Sequence, residues 1–90
     1  MEYIISENEV YLLDKNEKKA FVTFPKVDEK IVIINKTYVS EELRNMGIAG
    51  KLMELVAKEL IRTNRKAILS CSYAIMFFNK NEKYRCLISE

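Results

Sequence analysis

Between Val39 and Gly50 the chain reads VSEELRNMGIAG, placing an arginine, two glycines and an alanine where an apolar run gives way to a helical repeat. The chemistry on offer there is the binding of an anion. The first amides of a helix have no intrahelical partner and point outward, and the helix dipole adds partial positive charge at that end. Gly47 lets a phosphate approach the backbone, Ala49 keeps the first turn small, and Arg44 adds a fixed cation. The spacing predicts a strand, loop and helix junction whose amides, from Asn45 through Met46, Gly47, Ile48 and Ala49 to Gly50, face a phosphate.

A second candidate is Cys71, which falls at the carboxyl end of a predicted strand and at the start of a predicted helix. Open α/β sheets keep ligands in such places, and a helix N-terminus favours a thiolate. The same position also suits a small buried residue that fills space. The chain has no histidine, so catalysis would have to use a carboxylate, a thiol, a tyrosine or backbone groups. Glu41 and Glu42 could act as a base toward an amine, but they also fit the acidic first turn of a helix.

The elements that must position these groups are legible from periodicity. Residues 9–13 and 20–24 read as strands separated by turn chemistry at Asp14, Lys15, Asn16 and Glu17. In the second, Phe21 and Thr23 should face one way and Val22 and Phe24 the other, with Pro25 ending the register. Residues 31–39 open with four β-branched side chains, predicting one central strand covered on both faces. Three such strands make an antiparallel meander.

From 47 to 63, Ile48, Leu52, Leu55, Val56 and Leu60 form the stripe of an amphipathic helix. Lys51, Glu54, Lys58 and Arg62 fill its wet face, with Glu54 spaced to pair with Lys58. Residues 67–71 read as a strand parallel to the central one, because a helix intervenes. Residues 73–80 read as a second helix, with Ile75, Met76, Phe77 and Phe78 in the core. Residues 1–8 stay open between an edge strand and a core cover, and 81–90 between a short helix and a strand. Cys86 is expected to pack.

Ninety residues suffice for one domain, 1–90, with a modest core. Fifteen basic and thirteen acidic residues give a net charge of +2, mixed along the chain and too small to argue for nucleic acid. Two cysteines without a C-x-x-C, and no histidine, argue against a metal site. The opening MEYIISENEV lacks a basic region leading into an apolar core, and no stretch approaches the roughly eighteen apolar residues of a membrane span. These features read as a cytoplasmic protein with reduced thiols.

Arg44-x-x-Gly47-x-Ala49 resembles the Arg/Gln-x-x-Gly-x-Gly/Ala motif with which GNAT-type acyltransferases bind the pyrophosphate of acetyl-coenzyme A. The wider run from Val39 to Leu52 has the composition these enzymes show from strand end to helix. The order of elements is similar to a minimal GNAT fold, a mixed α/β sheet, and in length looks like the short single-domain GNAT-like N-acetyltransferases. Cys71-x-x-Ala74-x-x-Phe77-Phe78-x-Lys80 resembles a second family pattern, Asn-x-x-Ala-x-x-Phe-Tyr-x-Lys, with departures at Cys71 and Phe78.

The resemblance implies acetyl-coenzyme A as cofactor and an unknown amine as acceptor. It implies cofactor contacts from Lys51 and Lys80, and from backbone groups at Tyr38 and Val39 where the fold splays its parallel strands. In many family members a tyrosine at the position of Phe78 protonates the leaving thiolate, and a phenyl ring has no proton to give. An acid would then be Tyr73, Tyr84 or Cys71. The short group similarly carries a cysteine just past this strand, which implies that Cys71 is a feature of that group; its catalytic reading rests on its place beside the acyl thioester, as transient acceptor, general acid or polar wall. The chain has no room for the helices and final strand pair that usually bind the acceptor. Two alternatives accompany the acyltransferase: a module that holds coenzyme A without turnover, and a cofactor-free domain binding protein or nucleic acid. For the last, only Tyr73, Lys80, Lys83, Tyr84 and Arg85 offer aromatics among cations.

Overall fold

The computed structural model describes residues 1–89. Its strands are β1 (Glu2–Ile5), β2 (Glu9–Asp14), β3 (Glu17–Thr23), β4 (Ile31–Ile34), β5 (Lys36–Val39) and β6 (Lys66–Leu69). The helices are α1 (Ile48–Arg62) and α2 (Ser72–Lys80), with 3-10 turns at Glu41–Leu43 and Glu82–Leu87. The order β1-β2-β3-β5 makes an antiparallel sheet of four strands, while β4 and β6 pair in parallel.

Local chemistry fixes the connections. Lys15 and Asn16 both take positive φ, 52° and 66°, which is the two-residue turn that matches the twist of a hairpin. The Asp28 carboxylate accepts hydrogen bonds from the amides of Lys30 and Ile31 at 2.8 and 3.0 Å, closing the loop into β4. At the end of α1, Thr63 caps the last turn and Asn64 adopts a left-handed φ of 56°.

The core lies between α1 and one face of the sheets. Val10, Leu12, Ala20, Val22, Phe24, Val32 and Ile34 point into it from the strands. Ile48, Leu52, Met53, Val56, Ala57 and Leu60 meet them from the helix. Phe21 and Thr23 face away, as the alternation in β3 requires.

Several expectations are corrected, and the two segments left open, 1–8 and 81–90, are decided over their described residues. Residues 31–39 form two strands, because at Asn35 the apolar run ends and the partner changes: β4 pairs with β6, and β5 with β3. Nor is β4 covered on both faces, since Val32 and Ile34 are buried while Ile31 and Ile33 are only half-buried. Residues 2–5 form an edge strand, and Tyr3 packs against the core. Ile75 and Met76 are exposed, since α2 turns only Ala74 and Phe78 fully inward and Phe77 partly. Residues 82–87 are helical, after which Ile88 bridges Ala67 in parallel; Glu90 lies outside the described residues. Cys86 is exposed and does not pack. Glu54 reaches Lys51 at 3.9 Å and not Lys58.

One buried charge is handled by its neighbour. Glu59, 8% exposed, accepts two hydrogen bonds from Arg62 at 2.9 and 2.6 Å. These bonds hold its carboxyl below the usual carboxylate range, with nearby cationic charge adding to them against the cost of burial. Such a group contributes stability above the pKa it has when unfolded, and that contribution is lost as pH falls through its folded value. Glu59→Gln should cost on the order of 1 kcal/mol at neutral pH and less below about pH 4. Urea unfolding of both proteins across pH 3–7 checks this; a constant difference would contradict it.

Candidate functional site

The site begins where the parallel pair comes apart. The carbonyl of Ile34 accepts hydrogen bonds from the amides of Ser70 and Cys71, at 3.0 and 3.3 Å. Beyond it β5 follows β3, and the chain after β6 turns into α2. Antiparallel pairing alternates, and the Ser40 amide bonds the Lys19 carbonyl at 2.8 Å, so Tyr38 and Lys36 also direct their backbone groups toward β3. The backbone groups of Thr37 and Val39 therefore face the gap. The Val39 carbonyl is met there by Arg44 Nε at 3.0 Å.

The loop from β5 to α1 is wound tightly. Asn45 and Gly47 both take left-handed φ, 66° and 76°. Backbone of this kind turns successive amides toward one concavity. Gly47 is the N-cap of α1, and the first intrahelical bond runs from the Lys51 amide to its carbonyl at 3.1 Å. The amides of Ile48, Ala49 and Gly50 precede that bond and have no partner within the helix. A groove of about 230 Å³ opens over them, lined by Val39, Leu43, Arg44, the 45–50 turn without Met46, and Tyr73. A side chain at Gly47 would meet no atom within 4 Å, so the space above it is open. The phenol of Tyr73 faces the same turn and is held above its ordinary pKa by burial, so it stays protonated at neutral pH.

Cys71 caps α2. Its Sγ accepts a hydrogen bond from the Ala74 amide at 3.4 Å, and Thr37 Oγ1 lies 3.4 Å from the same sulfur. The thiol is thus tied across the gap to β5, half-buried. Thr37 gave no signal in the sequence, since it reads as an ordinary strand residue.

The remaining candidates lie apart from the groove. Tyr38 is 40% exposed on the far face of the sheet, its ring tilted against Phe21 with ring centres 5.5 Å apart. Met46 is exposed at the loop tip. Lys51 leans toward Glu54, and Lys80, in the last turn of α2, stands about 10 Å along that helix from Tyr73. Glu42 is bound to Lys19 at 2.6 Å, and that hydrogen bond lowers its pKa, which makes it a poor base; Glu41 is exposed. Phe78 is fully buried. Tyr84 is buried too, so the aromatic and basic residues of 73–85 do not make one exposed stacking face.

A larger groove of about 490 Å³ lies at the other end of α1 and carries none of the motif residues. Its buried charges are paired, Glu59 with Arg62, and Arg65 with the Thr63 hydroxyl and the Glu7 carbonyl. Among the described residues no cluster of side chains suits a metal ion, and no helix is long and apolar enough to cross a membrane.

With this geometry in place, comparison with known proteins defines the class. The domain model described as GCN5-related N-acetyl-transferase matches residues 7–87, and the chain belongs to that family. A protein of Staphylococcus aureus assigned as a GCN5-like N-acetyltransferase, solved in solution by NMR, shares 32% identity at a TM-score of 0.77. The match covers 98% of this chain and 87% of that one. Ard1 of Thermoplasma volcanium has the same fold at 22% identity and TM-score 0.65, covering 82% of this chain and 53% of its own. A GNAT family acetyltransferase of Elizabethkingia anophelis, solved with acetyl-CoA bound, matches at 19% identity and TM-score 0.61, over 84% of this chain and 51% of that chain. None of the curated proteins compared with the chain matches it. The fold expected from the sequence, a mixed α/β sheet with antiparallel strands, a helix, a parallel pair and a second helix, is the one observed.

The left-handed Gly47 generates a prediction. A β-branched residue at φ 76° is strained whatever the space above it, whereas asparagine tolerates that region. Gly47→Val should lose about 1–2 kcal/mol and Gly47→Asn less than half of that. Thermal unfolding checks the order; equal stability of the two variants would contradict the conformational role.

Proposed function

We propose that the protein is an acetyl-CoA-dependent N-acyltransferase that passes an acetyl group to the amine of an acceptor. The observation that supports it best is the groove itself. It joins the unpaired amides of Ile48, Ala49 and Gly50 to the guanidinium of Arg44 and to Val39, the end of the β5 edge whose backbone at Thr37 and Val39 faces the gap, the Val39 carbonyl being held by Arg44. Phosphate oxygens fit the first set, since helix-start amides and a planar cation both favour negative charge. A pantetheine arm fits the second, because it carries amide groups that can pair with a strand edge. Its apolar parts would lie against Leu43 and Val39.

Acetyl-CoA supplies the activated acyl group. The protein's part is to hold the thioester carbonyl against backbone donors in the gap, which polarises it, and to align the amine for direct attack. Phe78 has no proton to give and is buried. Cys71, held at the gap by Thr37, is the nearest thiol to that place and is our candidate for the group that meets the leaving thiolate. Binding of acetyl-CoA with no transfer to any amine would instead make the protein a module that holds coenzyme A without turnover.

Two measurements test this. Calorimetry should show acetyl-CoA binding that weakens as salt rises, and Arg44→Ala should reduce affinity about tenfold. Cys71→Ser keeps an oxygen cap on α2 and should leave stability within about 0.5 kcal/mol, while Cys71→Ala should lose about 1 kcal/mol. Loss of acetyl transfer in Cys71→Ser, with acetyl-CoA affinity kept, supports the chemical role. Full transfer in both variants would remove it.

A further inference from the structure

Tyr73 has a place in the fold that neither the motif nor the family position of Phe78 assigns to it. It stands in the first turn of α2, yet its hydroxyl lies against the first turn of α1: a methyl built on Gly50 would sit 3.4 Å from that oxygen. The ring lines the groove beside Arg44, Gly47 and Gly50. No protein hydrogen bond is made by the hydroxyl among the described residues.

Two facts separate this hydroxyl from the thiolate end of the gap. Gly50 belongs to the first turn of α1, whose amides have no partner within the helix and to which the coenzyme A reading assigns the phosphates. The contact between Thr37 and Cys71 marks the other side, where the strands part. The free O–H of Tyr73 and the unpaired amides of the first turn of α1 line the same groove. A phosphate oxygen there would receive donors from both.

We propose that Tyr73 is a phosphate-binding residue: its hydroxyl donates to the pyrophosphate of the cofactor from the α2 side, so that α1 and α2 close on the anion together. This rests on the coenzyme A reading above. It also assigns Gly50 a second task besides helix geometry, that of leaving the hydroxyl bare. Burial keeps the phenol protonated, which a donor to phosphate needs.

The test compares wild type, Tyr73→Phe and Gly50→Ala, each titrated with acetyl-CoA and with S-acetyl-pantetheine, which carries no phosphate. Tyr73→Phe retains the ring and loses only the O–H, so it should bind acetyl-CoA about tenfold more weakly and S-acetyl-pantetheine unchanged. Gly50→Ala improves helix propensity and should raise the melting temperature, yet it should weaken acetyl-CoA by crowding the same space. Equal acetyl-CoA affinity in wild type and Tyr73→Phe overturns the inference and leaves the coenzyme A reading standing. Parallel loss of both ligands in Tyr73→Phe also overturns it, since the hydroxyl would then act at the thioester end. Failure of the wild type to bind acetyl-CoA removes the reading beneath it.

Discussion

At the carbonyl of Ile34, two parallel strands that have been bonded residue by residue stop being partners. Backbone donors and acceptors need partners, and a sheet that divides leaves one edge without them. Here that edge is β5 at Thr37 and Val39, where Arg44 supplies a donor to the Val39 carbonyl alone, turned toward a gap between α2 and the start of α1. The rest of the architecture maintains this division. β3 holds β5 from behind, α1 packs across β2, β3 and β5 before the chain enters β6, and Cys71 caps α2 while touching Thr37 across the gap.

The stability of so small a chain rests on few side chains. The buried stripe of α1 against Val10, Leu12, Val22 and Phe24 is the main apolar contact, and it fixes where the helix begins as well as how it lies. Ile48 is buried at the first helical position, next to the left-handed Gly47. Packing at Ile48 thus sets the level at which the unpaired amides open into the groove. Core and site are coupled through one turn of backbone.

The sequence made the helices and the parallel pair legible because their signals are local: an apolar stripe at helical spacing, a capped end at Thr63 and Asn64, and β-branched runs. The loop was legible through its setting between a strand end and an apolar helical stripe and through its resemblance to a family motif, since an arginine, a glycine and an alanine in six residues recur by chance. The break at Asn35 was not, because one polar residue in a strand says nothing about a change of partner that occurs between distant elements. Thr37 went unseen, and Tyr73 was named only as an acid or a stacking aromatic, for the same cause: each lies against a neighbour more than twenty residues away, Cys71 for one and Gly50 for the other. Ile75 and Met76 misled, because an all-apolar stretch hides which face of α2 turns inward.

The central claim is that the unpaired backbone at the 45–50 turn and at the β5 edge receives the cofactor. Amide NMR of the protein titrated with acetyl-CoA addresses both segments at once. The account predicts the largest shifts at Ile48, Ala49 and Gly50 and at Thr37 and Val39, with little change around Glu59, Arg62 and Arg65. Shifts centred on that second cluster, with the 45–50 turn unmoved, would contradict it.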